Sequence, residues 1–248
     1  MLFPIGPDNT GRRTVAIVVF LLILANIYVF WLEYTKGDSF VAAYSAVPYE
    51  ISHGVDLVRH VNVRGVGVIP QAPGPSPIYL TLLTSMFMHA GLLHLAGNML
   101  YLWVFGPQIE DNFGHIKFLV FYLVCGIAAA LAQIISNPDS VIPALGASGA
   151  IAGVLGAYLV MFPGNRIRVL LPLLFFWPTF RLSAFLVIGF WIVLQLFNGY
   201  AAVIEHTSQE RGGGVAYLAH IGGFFAGLIL SFFFRQSRPA KMGMADES

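Results

Sequence analysis

The chain has 248 residues, of which 57% are hydrophobic, 14% aromatic and only 10% charged. Soluble globular proteins carry about 25% charged residues, so this composition excludes a soluble fold and indicates a membrane protein. The formal net charge of +1 provides no basic excess for binding nucleic acid, which we exclude as a partner. The single cysteine, Cys125, cannot form an internal disulfide bond.

Six apolar stretches are candidate transmembrane helices, if shorter ones are accepted where neighbouring helices would bury their ends. The first follows Arg12 and Arg13 and resembles a signal peptide. It is long for one and no small-residue cleavage site follows it directly, so we predict a retained helix. The stretches are 15–32, 92–105, 116–135, 148–162, 182–203 and 215–234. The sequence therefore predicts an all-α bundle of six transmembrane helices in one domain, residues 1–248.

Two connecting segments have a distinct composition. Residues 33–78, between the first two stretches, contain the proline-rich run 70–77 and are expected to form an ordered or partly ordered external loop. Residues 170–180 are apolar but contain Pro172 and Pro178, which favours either an interfacial segment or the beginning of the fifth helix. Residues 236–248 are expected to be a short cytoplasmic tail.

The distribution of basic residues predicts the orientation, because cytoplasmic loops carry an excess of Lys and Arg. With six spans, only Lys36, Arg59, Arg64 and Arg211 lie on one side. The other side, which includes both termini, is therefore expected to be cytoplasmic, and the second, fourth and sixth helices run from outside to inside. The basic residues on this side are Arg12, Arg13, Lys117, Arg166, Arg168, Arg181, Arg235, Arg238 and Lys241.

Four polar residues lie at a similar depth on these three helices, where each polar side chain is costly. Ser148 begins the fourth helix, about 22 Å from its cytoplasmic end, and His220 lies about 22 Å from the end of the sixth. His94 and Asn98, four residues apart on one face of the second helix, flank the same layer. Each residue alone has an ordinary packing explanation, but their agreement in depth favours a shared site.

Small residues on the fourth and sixth helices would let these two helices approach closely. The fourth carries Gly149, Gly153 and Gly156, and the sixth carries the pair Gly223 and Gly227. A serine hydroxyl on one helix can then reach an imidazole on the other, which accepts the serine proton and returns it to a leaving amine.

We expect a developing oxyanion to be stabilised by His94, Asn98 and the backbone N–H of Ser148, which is near a helix N-terminus. Because the fourth and sixth helices contain no acidic residue, a Ser/His dyad fits better than a triad, with Asp139 and Glu205 as remaining alternatives for a third member. The other histidines look like surface residues, with His89 close to the mouth of the site. They are His53, His60, His89, His115 and His206.

These motifs together resemble the rhomboid family of intramembrane serine proteases, over the six-helix core. The matching patterns are H-x-x-x-N at His94 and Asn98, G-x-S-G at 146–149, and A-H-x-x-G-x-x-x-G at 219–227. The resemblance implies a six-helix bundle without a cofactor or metal, Ser148 as nucleophile and His220 as general base, with His94 and Asn98 in the oxyanion hole. It also implies membrane-embedded substrates, transmembrane helices cut near their outer ends, and a multi-pass protein of a prokaryotic inner membrane.

The chain departs from the family pattern at two places. Many members carry an aromatic residue four positions after the serine that stacks on the catalytic histidine, whereas this chain has Ala152, so the residue that orients His220 is left open. The first loop also lacks the Trp-Arg pair of many members.

Substrate entry is expected between the second and fifth helices, where the family has its lateral opening. Bulky residues of the fifth helix, Trp191 first and Phe190 second, are predicted to close against the second helix near Tyr101. The alternative is that these aromatic side chains only face lipid.

Other functional classes lack their motifs. The last glycine of a G-x-S-x-G elbow is replaced by Ala150, no histidine is followed by glutamate as in H-E-x-x-H, and no G-K-[ST] phosphate loop is present. A related protein that binds membrane clients without cutting them is the main rival, although such proteins lack the serine or the histidine. A transporter or channel is a more distant alternative.

Overall fold

The computed structural model describes residues 3–7, 12–63, 66–171, 176–205 and 216–234. Several expectations fall outside these residues: those for His206, for the first residue of the sixth stretch, for the tail 236–248, and for Arg64, Arg211 and the basic residues of the C-terminal segment. Residues 172–175 also lie outside the described residues. They belong to the segment 170–180, which was expected to be interfacial or to begin the fifth helix.

Each of the six apolar stretches lies on a helix. Helices α1 (Ile17–Lys36), α6 (His115–Ser136), α8 (Ala184–Glu205) and α9 (Tyr217–Phe234) are long and apolar enough to cross a bilayer. Helix α5 (Leu92–Phe113) joins them if it is counted with the segment Ile78–Phe87, to which it is bent by 79°. Helix α7 (Ser148–Met161) is apolar but has only 14 residues. The shorter α-helices are α2 (Asp38–Tyr44), α3 (Pro48–His53) and α4 (Thr81–Thr84).

Two small sheets show that the all-α prediction was too narrow, although the described chain is mostly helical. Strand β4 (Arg166–Leu170) pairs antiparallel with both β1 (Phe3–Pro7) and β5 (Thr179–Ser183), while β2 (Val61–Val63) pairs with β3 (Gly67–Ile69). The β4–β5 hairpin takes the place of the predicted interfacial segment or helix start. Its cause is the alternation of β4, which buries Ile167 and Val169 and exposes Arg166 and Arg168.

The second predicted helix continues eight residues further than expected, because the buried carboxyl group near its C-terminal end has hydrogen-bond partners. The fully buried carboxylate of Glu110 accepts the backbone N–H groups of Val18 (2.9 Å) and Val19 (2.8 Å) in the first turn of α1. His115 Nδ1 lies 2.6 Å from the same carboxylate. These bonds satisfy amides that a helix start leaves without partners and tie α1, α5 and α6 together.

The described residues of the segment expected to be an external loop pack against the chain that precedes α7. Ala46 and Ala144 form an antiparallel bridge, and Tyr49 N–H donates to the carbonyl of Ser140 at 2.9 Å. Gln71 Nε2 donates to the carbonyl of Val141 at 3.0 Å. These contacts fix the chain that leads into the N-terminal end of α7. The β1–β4–β5 sheet follows the opposite end of this helix.

Helix α7 lies at the centre of the bundle, in contact with α5, α6, α8 and α9. All its residues from Gly149 to Tyr158 are buried. Its closest neighbour is α9: a Cβ at Gly223 would fall on the carbonyl of Gly149, and one at Gly227 on the backbone of Gly153. The glycines therefore bring the two backbones together, as the sequence predicted.

Candidate active site

The structure brings Ser148 and His220 into direct contact. Ser148 is the first residue of α7 and His220 lies in the first turn of α9, with 2.8 Å between Ser148 Oγ and His220 Nε2. This distance is that of a good hydrogen bond. A hydroxyl and an imidazole in this arrangement are suited to general-base activation of the serine.

The turn before Ser148 depends on a glycine. Gly146 has φ +132°, a conformation that L side chains rarely adopt, and its N–H donates to the carbonyl of Ser85 at 2.9 Å. A Cβ at this position would lie 3.0 Å from His94 Cε1, 3.2 Å from His94 Nε2 and 3.6 Å from Ser148 Oγ. The absent side chain therefore leaves the space between the serine and the His94 ring.

His94 lies on α5 beside this space, and Asn98 lies one turn further along the same face of the helix. The Ala90 N–H donates to His94 Nδ1 at 3.3 Å, which places the ring proton on Nε2, the nitrogen that faces Gly146. Asn98 is 7% exposed, and its Nδ2 has no hydrogen-bond acceptor among the described residues. The Ser148 N–H is a further donor, because the first residue of a helix leaves this group without an intrahelical partner.

Two residues that the sequence reasoning did not assign to this role contact the His220 ring, and a third bonds only to the backbone beside it. Gln195 Oε1 lies 2.8 Å from His220 Nδ1, the nitrogen that does not face the serine. Trp191, one turn earlier on α8, packs its ring 5.8 Å from the imidazole between centroids. Gln133 on α6 accepts the N–H of Ala219 at 3.3 Å. The available signal was the presence of two glutamines inside predicted transmembrane helices.

The described partner of His220 Nδ1 is Gln195, and neither alternative third member of a triad has a described contact with the ring. Asp139 is exposed and lies 3.6 Å from His53 Nε2, and the side chain of Glu205 lies outside the described residues. The expectation of a surface position holds for His53 and His60 but is wrong for His89, which is 4% exposed. Its ring contacts that of His94 at 5.1 Å, and its N–H donates to the carboxylate of Glu33 on α1.

The residues expected to control substrate entry occupy different surroundings. Trp191 contacts His220 and Phe224 of α9, while Phe190 is 59% exposed. Tyr101 on α5 packs against Phe105, 5.9 Å away between ring centroids. Helix α8 packs mainly against α9 and α7.

Comparison with known proteins identifies the class of protein that this bundle and site define. The model of the Rhomboid domain matches residues 77–237, which is more than half of the chain. The chain therefore belongs to the rhomboid family, whose fold is a helical membrane bundle.

The chain is similar to rhomboid proteins of bacteria and of eukaryotic organelles. It is 36% identical over 149 residues to "Rhomboid protease GluP" of Bacillus subtilis, which covers 60% of this chain and 25% of that protein. It is 30% identical over 158 residues to "Rhomboid protein 1, mitochondrial" of Saccharomyces cerevisiae, covering 62% of this chain and 41% of the relative. The chain thus spans less than half the length of these two relatives.

Proposed function

We propose that the protein is an intramembrane serine endopeptidase that uses Ser148 and His220 as a catalytic dyad. The observation that carries this proposal is the 2.8 Å hydrogen bond between Ser148 Oγ and His220 Nε2. Family membership supports it, and so does the printed name of the Bacillus relative, which calls that protein a protease.

In this mechanism Ser148 Oγ attacks the carbonyl carbon of the scissile bond while its proton passes to His220 Nε2. The oxyanion of the tetrahedral intermediate accepts hydrogen bonds from His94 Nε2–H, Asn98 Nδ2–H and the Ser148 N–H. His220 then returns the proton to the leaving amine. Water attacks the acyl-enzyme by the same route and releases the second product.

We propose transmembrane protein substrates, cut near the outer membrane face. Ser148 lies at the end of α7 opposite the β4–β5 hairpin with its exposed arginines, which supports a cytoplasmic hairpin and an outer site. Six spans, counting the short α7, would place both termini in the cytoplasm, and the bacterial relative supports a prokaryotic cell membrane. Tags before Met1 and after Ser248 found on opposite faces would disprove the six-span topology.

We also propose that substrates enter laterally between α5 and α8, where Trp191, Phe190 and Tyr101 restrict access. The packing of α8 on α9 and α7 supports this, because movement of α8 relative to α5 breaks few contacts. The substrate helix comes from lipid and the hydrolytic water from the outer surface.

The direct test is cleavage of a model transmembrane substrate by the detergent-purified protein. Ser148→Ala and His220→Ala should each abolish cleavage, and the double variant should be no worse, because the two residues act as one unit. All variants should retain the melting temperature of a folded protein. Substrate that remains intact with folded wild-type protein would favour a non-cleaving client-binding protein instead.

A further inference from the structure

The geometry points to Gln195 as the positioning residue that fixes the tautomer and the direction of the His220 ring. This inference deepens the proposed function and rests on it, since it assigns the task that a carboxylate performs in a triad to a neutral amide on α8. Two observations carry it. Gln195 Oε1 lies 2.8 Å from His220 Nδ1, and His220 Nε2 lies 2.8 Å from Ser148 Oγ.

The chemistry of the amide oxygen determines which ring nitrogen carries the proton. Gln195 Oε1 can only accept a hydrogen bond, so His220 Nδ1 must donate and therefore carries the proton of the neutral ring. Nε2 then has a free lone pair directed at Ser148 Oγ. The general base is thus held in the one neutral tautomer that can accept the serine proton.

Burial and packing favour the hydrogen bond between Gln195 and His220 over hydrogen bonds of either group to water. Gln195 is 9% exposed, so its oxygen has little water to compete for it. Trp191, four residues earlier on the same face of α8, lies beside the imidazole with 5.8 Å between ring centroids and an interplanar angle of 38°. One helix therefore supplies an acceptor for the edge of the ring and an aromatic surface for its side.

This arrangement accounts for the departure at Ala152. The residue four positions after the serine is fully buried and has no ring to pack on the histidine. Support for His220 comes instead from α8. An amide achieves this without placing a negative charge in the membrane, which is a costly environment for ionised side chains.

Replacement of Gln195 by Met tests the assignment, because Met retains the length and apolar volume but offers no comparable acceptor. We expect Gln195→Met to lower kcat about tenfold or more with little change in KM. Gln195→Glu restores an acceptor, so it should keep most of the activity, with the acidic limb of the pH–rate profile shifted to higher pH. Gln133→Met is the matched control, since Gln133 contacts the backbone beside His220 and not the ring.

A second measurement reads the tautomer without relying on turnover. In ¹⁵N-histidine-labelled protein carrying Ser148→Ala, the His220 signals should show the Nδ1–H form, and addition of Gln195→Met should shift them toward the Nε2–H form. Gln133→Met should leave them unchanged. Because this background is inactive, the result stands or falls separately from the protease assignment.

Unchanged ¹⁵N signals in Gln195→Met would overturn the inference, whether or not kcat falls, because Gln195 would then only join α8 to α9. Wild-type kcat in folded Gln195→Met would overturn it as well. Failure of wild-type protein to cleave any substrate, combined with the expected tautomer shift, would reject the proposed function and leave the positioning role of Gln195 intact.

Discussion

A methyl group added at Gly227 would test whether the close approach of α7 and α9 creates the dyad. In Gly227→Ala the new Cβ would fall on the backbone oxygen, α-carbon and carbonyl carbon of Gly153. Backbone atoms cannot rotate away as a side chain does. The two helices must therefore separate locally, since carbon and oxygen in such contacts prefer about 3.3 Å or more.

The expected separation is about 1 Å, which restores that carbon–oxygen distance. Gly227 lies two helical turns, or about 10 Å, from His220 along α9. If α9 is rigid, the shift is transmitted to His220. The distance between Ser148 Oγ and His220 Nε2 would then increase from 2.8 Å to more than about 3.2 Å, the usual upper limit of a hydrogen bond. Loss of general-base assistance lowers turnover by about 100-fold or more.

Stability should fall less than activity. Overpacking a tight contact costs about 1–3 kcal/mol, whereas Gly→Ala within a helix returns about 1 kcal/mol. We expect a net loss of up to about 2 kcal/mol, measured as a lower melting temperature in detergent. Activity is measured by cleavage of a transmembrane substrate and by reaction of Ser148 with a fluorophosphonate.

Gly189→Ala on α8 is the matched control, because a Cβ there meets nothing within 4 Å. It should cleave and label at the wild-type rate, with an unchanged or raised melting temperature. If Gly227→Ala cleaves substrate at the rate of Gly189→Ala, the close approach of α7 and α9 is not what positions the dyad.

Two further predictions concern the oxyanion hole and substrate entry. Asn98→Ala should lower kcat by about 10- to 1,000-fold with little change in KM, because a donor to developing charge acts in the transition state; a raised KM at unchanged kcat would show a role in substrate binding. Phe190→Ala should speed cleavage of a transmembrane substrate, and Trp191→Ala should do so less, since it also removes packing on His220 and costs thermal stability. A crosslink between α5 and α8 should block that substrate and spare phosphonate labelling of Ser148; equal loss of both would remove support for lateral entry.

The sequence predicted the parts of the site that depend on helix length and small-residue spacing. Ser148 and His220 were placed at one depth by counting residues to the helix ends, and Gly223 and Gly227 predicted the close packing that joins them. Both kinds of reasoning work because a helix has a fixed rise and the bilayer has a limited thickness.

The support of His220 was not predicted, although a signal was available. Gln195 is a polar residue within an apolar helix, a placement that calls for a functional explanation. Its partner depends on how α8 is rotated about its axis, and amphipathic patterning does not report rotation when most of the helix faces are apolar. The rotation is set by packing against α9 and α7.

The β4–β5 hairpin and the burial of His89 were missed for different reasons. The alternation from Arg166 to Leu170 has the period of a strand. The sequence reasoning used Arg166 and Arg168 only to orient the chain, and it considered residues 170–180 only as an interfacial segment or a helix start. His89 stands in a short non-helical segment that looks external by hydropathy. Its burial results from packing against His94 and the Glu33 carboxylate, contacts between helices that the local sequence does not specify.

The central claim, that Ser148 is a nucleophile activated by His220, is tested most directly by labelling folded protein with a fluorophosphonate and mapping the adduct by mass spectrometry. The account predicts a single adduct on Ser148, formed at a rate that falls about 100-fold or more in His220→Ala. It predicts no adduct in Ser148→Ala. Labelling of Ser148→Ala at the wild-type level, or of His220→Ala at an undiminished rate, would contradict the account.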